Sequence, residues 1–169
     1  PQRPDAQHHD QALEALQRNE ELLKSTQALG KMGGWEYDVS SGKLFWTDEL
    51  YLLHDIDPAD PEASELVFRS LECFPEDSQV TIKAAIDEMI ARGTPYKIES
   101  WFTSRKGRKL WVRNTAQGIF KDGKLVRANG IIQDITESKE AQTKQEELAE
   151  QLRQAQKLDT IGQLAGGVA

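Results

Sequence analysis

The side chains best suited to chemistry are His8, His9, His54, the lone Cys73, and carboxylates of which Asp134, closing an apolar run, is the most suggestive. His8 and His9 are neighbours in a polar stretch, where metal binding would be incidental. His54 ends a short helical pattern, and an imidazole there reads as a helix-end cap or a surface group. One cysteine can form no internal disulfide, and no Cys/His set has the spacing of zinc ligands. Cys73 therefore reads as a small buried or half-buried residue. The sequence has no phosphate loop, no Gly-x-Ser-x-Gly and no His-Glu-x-x-His, and its histidines lack evident carboxylate or thiol partners. Asp134 stands after a buried strand and just before a helix, which suits capping and a junction salt bridge better than proton transfer. No catalytic residue and no metal site are expected.

The chain has 169 residues, room for one domain of about 100 to 150 residues with extensions. With 38% hydrophobic and 29% charged residues it is too apolar to be wholly disordered and too polar to be embedded in a membrane. No apolar run approaches the roughly 18 residues that span a bilayer, and Pro1 to Asp10 lacks the order of a signal peptide. A cytoplasmic chain with no membrane contact through this segment is expected. The net charge of -7 disfavours nucleic acid as a partner, but the charge is segregated. Residues 48–77 carry ten acids against Arg69, whereas residues 96–127 carry nine bases against Glu99 and Asp122. These blocks are either faces that attract each other or a docking surface for a charged partner.

Around these residues the elements follow from periodicity. Leu13, Leu16 and Leu23 lie at seam spacing, with Glu20 and Gln27 between, in a helix whose apolar stripe needs a partner helix or an exposed sheet. Residues 34–39 and 43–47 read as a hairpin around Ser40-Ser41-Gly42, and Thr47 as the N-cap of a short helix carrying Leu50 and Leu53. Residues 65–71 add an irregular turn. Pro75, at the first helical position, opens a helix with Ile82, Ile86, Met89 and Ile90 on one face, ended by Gly93. From Tyr96 the period falls to two, and strands over 96–103, 109–120 and 124–135 are joined at Lys106-Gly107 and Asp122-Gly123. The fold class is α+β, a five-stranded antiparallel sheet with a helical cap, flanked by an N-terminal amphipathic helix and a long C-terminal coiled-coil helix. That last helix, capped by Thr136, carries Leu148, Leu152, Ala155, Leu158, Ile161, Ala165 and Val168. Its two steps of three after Ala155 break the heptad as a stammer does. A lone helix extending some 40 Å has nothing to bury this stripe against, so parallel dimerisation is the natural inference.

Five pieces then occur in order: Gly34-Trp35-Glu36-Tyr37-Asp38, Phe45-Trp46-Thr47-Asp48-Glu49, Phe74-Pro75-Glu76-Asp77, Lys106-Gly107-Arg108-Lys109-Leu110-Trp111 and Gln133-Asp134-Ile135-Thr136-Glu137. Together, over about residues 29–138, they resemble a PAS domain with its C-terminal PAC segment. The resemblance implies sensing or signal relay rather than catalysis. Residues 152–169 resemble the start of the dimerisation and phosphoacceptor helix of sensor histidine kinases. In that family the phosphorylated histidine comes next, so this stretch is expected to have no kinase activity of its own. The implied organisation is a tail and dimerisation helix over 1–29, a PAS/PAC domain over 30–136 and a signalling helix over 137–169.

Photoactive flavin-binding PAS domains use an adduct-forming cysteine in a helical motif and polar side chains on the inward sheet. Cys73 lies outside such a motif, and this sequence places Phe102, Val112 and Ile132 at those sheet positions. Haem-binding members use a histidine of the long cap helix, and residues 76–92 contain none. Flavin and haem are disfavoured, and no cofactor is expected. The concavity between cap and sheet would be lined by Ile86, Met89, Ile98, Phe102, Val112, Asn114 and Ile132, a set that suits a small hydrophobic ligand or a solid core alike. Trp35, Trp46, Trp101 and Trp111 read as packing or interface residues, with Trp101 on the outer sheet face. Three readings stand. One is a relay in which Asp134, Ile135 and Thr136 pass movement of the sheet to the kinase helix of a homodimer, and thence to a response regulator. The others are a ligand-free scaffold and a small-molecule receptor. In each, the dimer interface is assigned to Leu13, Leu16, Leu23, Leu148, Leu152, Ala155 and Leu158.

Overall fold

The computed structural model describes residues 4–167. Helix α1 (Pro4–Leu29) leads into β1 (Met32–Asp38) and β2 (Lys43–Trp46). The cap follows as α2 (Asp48–His54), α3 (Ala63–Phe68), a 3-10 turn (Ser70–Cys73) and α4 (Glu76–Arg92). The chain then runs through β3 (Tyr96–Thr103), β4 (Lys109–Lys121) and β5 (Lys124–Asp134) into α5 (Thr136–Gly166). The five strands form one antiparallel sheet in the order β2-β1-β5-β4-β3, so the first strand enters beside the last. Residues up to Asp134 form one compact unit and those from Ile135 another.

Local chemistry accounts for the turns. The Asp38 carboxylate accepts hydrogen bonds from the Ser40 hydroxyl at 2.6 Å and the Ser41 N–H at 2.8 Å. These bonds hold its pKa down at about 2 and close the β1–β2 hairpin. Asp122 (φ 51°) and Gly123 (φ 74°) supply the paired left-handed residues that a two-residue hairpin requires. Gly93, at φ 76°, ends α4 and donates its N–H to the Met89 carbonyl.

Three end positions differ from the sequence expectation. Thr47 does not cap α2 through its side chain, because its hydroxyl accepts the Gly34 N–H at 2.9 Å and stitches β1 to the start of the helix. Pro75 takes the N-cap position of α4 with extended backbone (ψ 153°), one residue before the first helical place. In α5 the Lys139 N–H donates to the Ile135 carbonyl, so the first turn closes on Ile135, and Thr136 is the first helical residue rather than the cap. The irregular turn expected near 65–71 is longer, a six-residue helix followed by the 3-10 turn.

The core lies between cap and sheet. Leu50, Leu53, Cys73, Phe74, Ile82, Phe102, Val112 and Ile132 form its larger part, and Met89, Tyr96, Ala116 and Ala128 a smaller one. The hydroxyls of Ser78 and Ser100, 2.6 Å apart, tether the first turn of α4 to β3. On the outer face the Trp101 and Trp111 rings meet edge to face at 4.7 Å, and the Lys109 ammonium sits 4.6 Å from the centre of the Trp101 ring. Within α5 no described residue is buried.

Candidate functional site

The cap and the inner sheet enclose a cavity of about 430 Å³. Of the seven residues the sequence assigns to it, Ile86, Met89, Asn114 and Ile132 line it. Phe102 and Val112 do not. Both are fully buried in the solid part of the core, where Phe102 meets Phe74 and His54 edge to face at 5.3 and 4.8 Å. Ile98 is half-buried and packs against both parts of the core. Alternation along a strand identifies the inward face but does not say where along that face the cap lifts away. The walls that sequence reasoning missed are in part aliphatic, with Leu50, Val67, Leu71 and Ile82 among them, and in part aromatic, with Trp35, Tyr37, Trp46, Phe74 and Tyr96. Phe68 and Ile90 line the cavity while remaining substantially exposed, which places them at its mouth.

Asn114, Tyr96 and Ser70 are polar members of this largely apolar lining. Asn114 is only 4% exposed, and its Oδ1 has no hydrogen-bond partner among the described residues. Burial pushes the Tyr96 hydroxyl up to about 12, with hydrogen bonding from the Asn114 side chain pulling the other way, so Tyr96 stays a neutral phenol. Among the described residues no Asp, Glu, Lys, Arg or His lines the cavity. A broader concavity of about 620 Å³, on the outer side of the sheet, is bordered by Gly34, Phe45, Thr115, Gln117, Asn129 and Ile131.

His54 is fully buried, not the cap or surface group expected from its place at a helix end. It follows Leu50 by one helical turn and so shares that residue's core-facing side. Its Nδ1 lies 2.9 Å from the Leu50 carbonyl, which fixes the proton on that nitrogen, and its Nε2 has no partner. The ring packs against Trp46 at 4.3 Å. Burial lowers its pKa to about 4, with the Arg105 charge adding to the effect and the Leu50 carbonyl and Asp55 opposing it. Neither His54 nor Cys73 lines the cavity. Among the described residues no group of His, Cys, Asp and Glu is arranged to hold a metal ion.

The acidic and basic blocks of the sequence meet within the fold. Arg105 pairs with Glu72 at 3.1 Å and also donates to the Arg69 carbonyl. The Arg108 guanidinium grips Asp55 through two hydrogen bonds of 2.8 and 3.1 Å, and donates to the Leu52 and Leu53 carbonyls at the end of α2. Asp134 adds to the charge around Arg108, raising its pKa further, and both border a polar hollow with Lys31 and Glu49. The Asp134 N–H donates to the Lys31 carbonyl at 2.9 Å. One side chain of the β3–β4 turn thus clamps the end of the cap's first helix. Arg108→Met keeps the stem and removes the fork. It should cost about 1 to 2 kcal/mol, with half the side chain in solvent limiting the loss, and the urea midpoint should fall accordingly.

The seam residues are placed as follows. Leu13, Leu16 and Leu23 on α1 and Leu148, Leu152, Ala155 and Leu158 on α5 are all exposed, with Leu152 at 61%. Val168 lies outside the described residues. Asp134 ends β5, Ile135 is the link and Thr136 starts α5.

A sheet in this strand order with a helical cap between its second and third strands is a sensory-module architecture, and the sequence match agrees. Residues 43–132 match the family model described as PAS fold, more than half of the chain, and the chain belongs to that family. It is 24% identical over 126 residues to the blue-light-activated histidine kinase of Brucella anthropi, a match covering 75% of this chain and 25% of that protein. The chain spans about a quarter of the length of the curated relatives it matches. Among solved structures, a sensory box histidine kinase/response regulator from Burkholderia thailandensis superposes with a TM-score of 0.59 at 17% identity, covering 78% of this chain and 98% of that one. An RNA-binding light-oxygen-voltage receptor superposes at 0.55 and 19% identity, covering 63% and 30%. No helix among the described residues is long and apolar enough to cross a membrane.

Proposed function

We propose that this chain is the sensory or relay module of a histidine kinase. It dimerises through α1 and α5, and it passes a change in the sheet through Asp134, Ile135 and Thr136 to a kinase domain that serves a response regulator. The observation that carries the reading is α5, a 31-residue helix that keeps Leu148, Leu152, Leu158, Ile161 and Leu164 in solvent. Such a stripe is stable when a second copy covers it, because an isolated helix in water gains little from propensity alone. The single residue between β5 and α5 leaves little slack for absorbing a shift of the strand. In mechanism, the two subunits' α5 helices would rotate or splay between two packings, and the break in the heptad after Ala155 is where two registers lie close in energy.

A flavin does not fit the residues of this cavity. Among the described residues, Cys73 is outside the lining, the one side-chain amide of the lining is Asn114, and no cation lines it to meet a phosphate. On this reading the light response named in the relatives is theirs, and the input proposed for this chain is a ligand or a packing change.

Sedimentation equilibrium tests the dimer. The chain should sediment as a dimer at micromolar concentration, and Leu148→Glu with Leu152→Glu should weaken association at least a hundredfold while leaving the PAS unit folded. A monomeric parent chain would overturn the assignment.

A further inference from the structure

We propose that the cavity binds a neutral aromatic molecule of one or two rings bearing a single N–H or O–H donor, which the Asn114 Oδ1 accepts. The inference rests on the sensory reading and deepens it by naming what the module would detect. Its volume of about 430 Å³ is within the range of small-molecule sites, which run from about 300 to 1,000 Å³.

Three features of the walls define the ligand. Charge comes first: with no acidic, basic or histidine side chain in the lining, a carboxylate, phosphate or ammonium would enter without a counter-charge and lose its hydration unrepaid. Fatty acids, nucleotides and amines are excluded on that ground. Shape comes second, since Trp35, Tyr37, Trp46, Phe74 and Tyr96 offer rigid surfaces against which a flat ring packs in offset or edge-on contact. The third feature is the polar anchor. A buried carbonyl oxygen without a partner is uncommon in folded proteins and costly to maintain, and Asn114 holds one in the wall of a cavity. That oxygen, unpartnered and in the lining, is the acceptor for whatever enters. A ligand with a donor at its rim satisfies it, and an equally shaped ligand with only an acceptor sets two lone pairs against each other. The mouth at Phe68 and Ile90 is apolar and admits such a molecule without a charged filter.

Indole and benzofuran are matched probes, alike in shape and differing in N–H against O. Calorimetric titration of the whole chain should give an affinity for indole at least about tenfold greater than for benzofuran. In Asn114→Leu the ratio should fall to near one with both probes still bound. Equal affinities in the parent chain would overturn the donor rule. Binding of neither probe would overturn the ligand site, as expected if the cavity holds only water. A preference that persists in folded Asn114→Leu would overturn the role of Asn114. The parent-chain ratio decides the donor rule whether or not the variant folds. None of these results bears on dimerisation through α5, which sedimentation reports separately.

Discussion

Gly33→Ala is expected to lose about 3 kcal/mol of folding stability, one of the two largest effects anticipated for this chain. A Cβ built on Gly33 meets the Cα and Cβ of Leu50 at 2.5 Å and its backbone nitrogen at 2.6 Å. Two of those atoms are backbone, so no rotamer change relieves the clash. Helix α2 would have to lift from β1, and Leu50, fully buried at the centre of the core, would lift with it. Against a typical stability of about 5 to 15 kcal/mol this is a large fraction. Gly162→Ala is the contrasting case, because nothing lies near its added methyl and the residue is helical, so that variant should be as stable as the parent or slightly more so. Urea unfolding followed by tryptophan fluorescence measures both. A Gly33→Ala midpoint equal to the parent's would mean that α2 is not pressed against the strand.

The second large effect is acid sensitivity at His54. In the unfolded chain this imidazole titrates near its ordinary 6.5, and in the folded protein at about 4. Between those values the unfolded chain binds a proton that the folded chain refuses, so stability falls as pH drops through this window and the contribution is intact above about 6.5. Full protonation of the unfolded side costs the fold roughly 3 kcal/mol by pH 4. Burial supplies most of the effect, with the Trp46 ring 4.3 Å and the Phe102 ring 4.8 Å from the imidazole. His54→Leu removes the titrating group, so its stability should decline less between pH 7 and pH 4. Carboxylates also titrate at the lower end, but they are common to both chains, and the difference isolates His54. If the parent and His54→Leu curves run parallel, the ring is not held neutral. An imidazole titrating near 6.5 in NMR would say the same.

Much of the fold was readable because its signals are local. Asp122-Gly123, the alternation from Tyr96 onward, and Ile82, Ile86 and Met89 on one face of α4 each specify an element within a few residues. The position of His54 at the end of a helix suggests a cap, although its spacing from Leu50 already places it on the core side. The Thr47 hydroxyl was given to the helix it precedes, when the competing donor, Gly34, lies 13 residues back in the chain. The Arg108 clamp joins residues more than fifty positions apart and has no local signature. The cavity was the least legible. Phe102 on β3 and Ile132 on β5 are both inward residues of the same sheet, and only the path of the cap decides that one is solid core and the other cavity wall.

The pairing of β1 with β5 sets the order in which this domain can be made. Met32 lies opposite Gln133 and Trp35 opposite Gly130, so the first strand of the sheet is completed by nearly the last residues of the unit. During synthesis β1 has only the four-residue β2 as a neighbour, and a lone hairpin of that size is marginal in water. The cap helices emerge next, with no finished sheet to cover. Closing a loop of about a hundred residues precedes most of the reward, which places the domain among slower, non-local folders. Until Asp134 has left the ribosome, the nascent chain holds its aromatic residues against a sheet that lacks its central strand, the kind of incomplete core that is prone to aggregate.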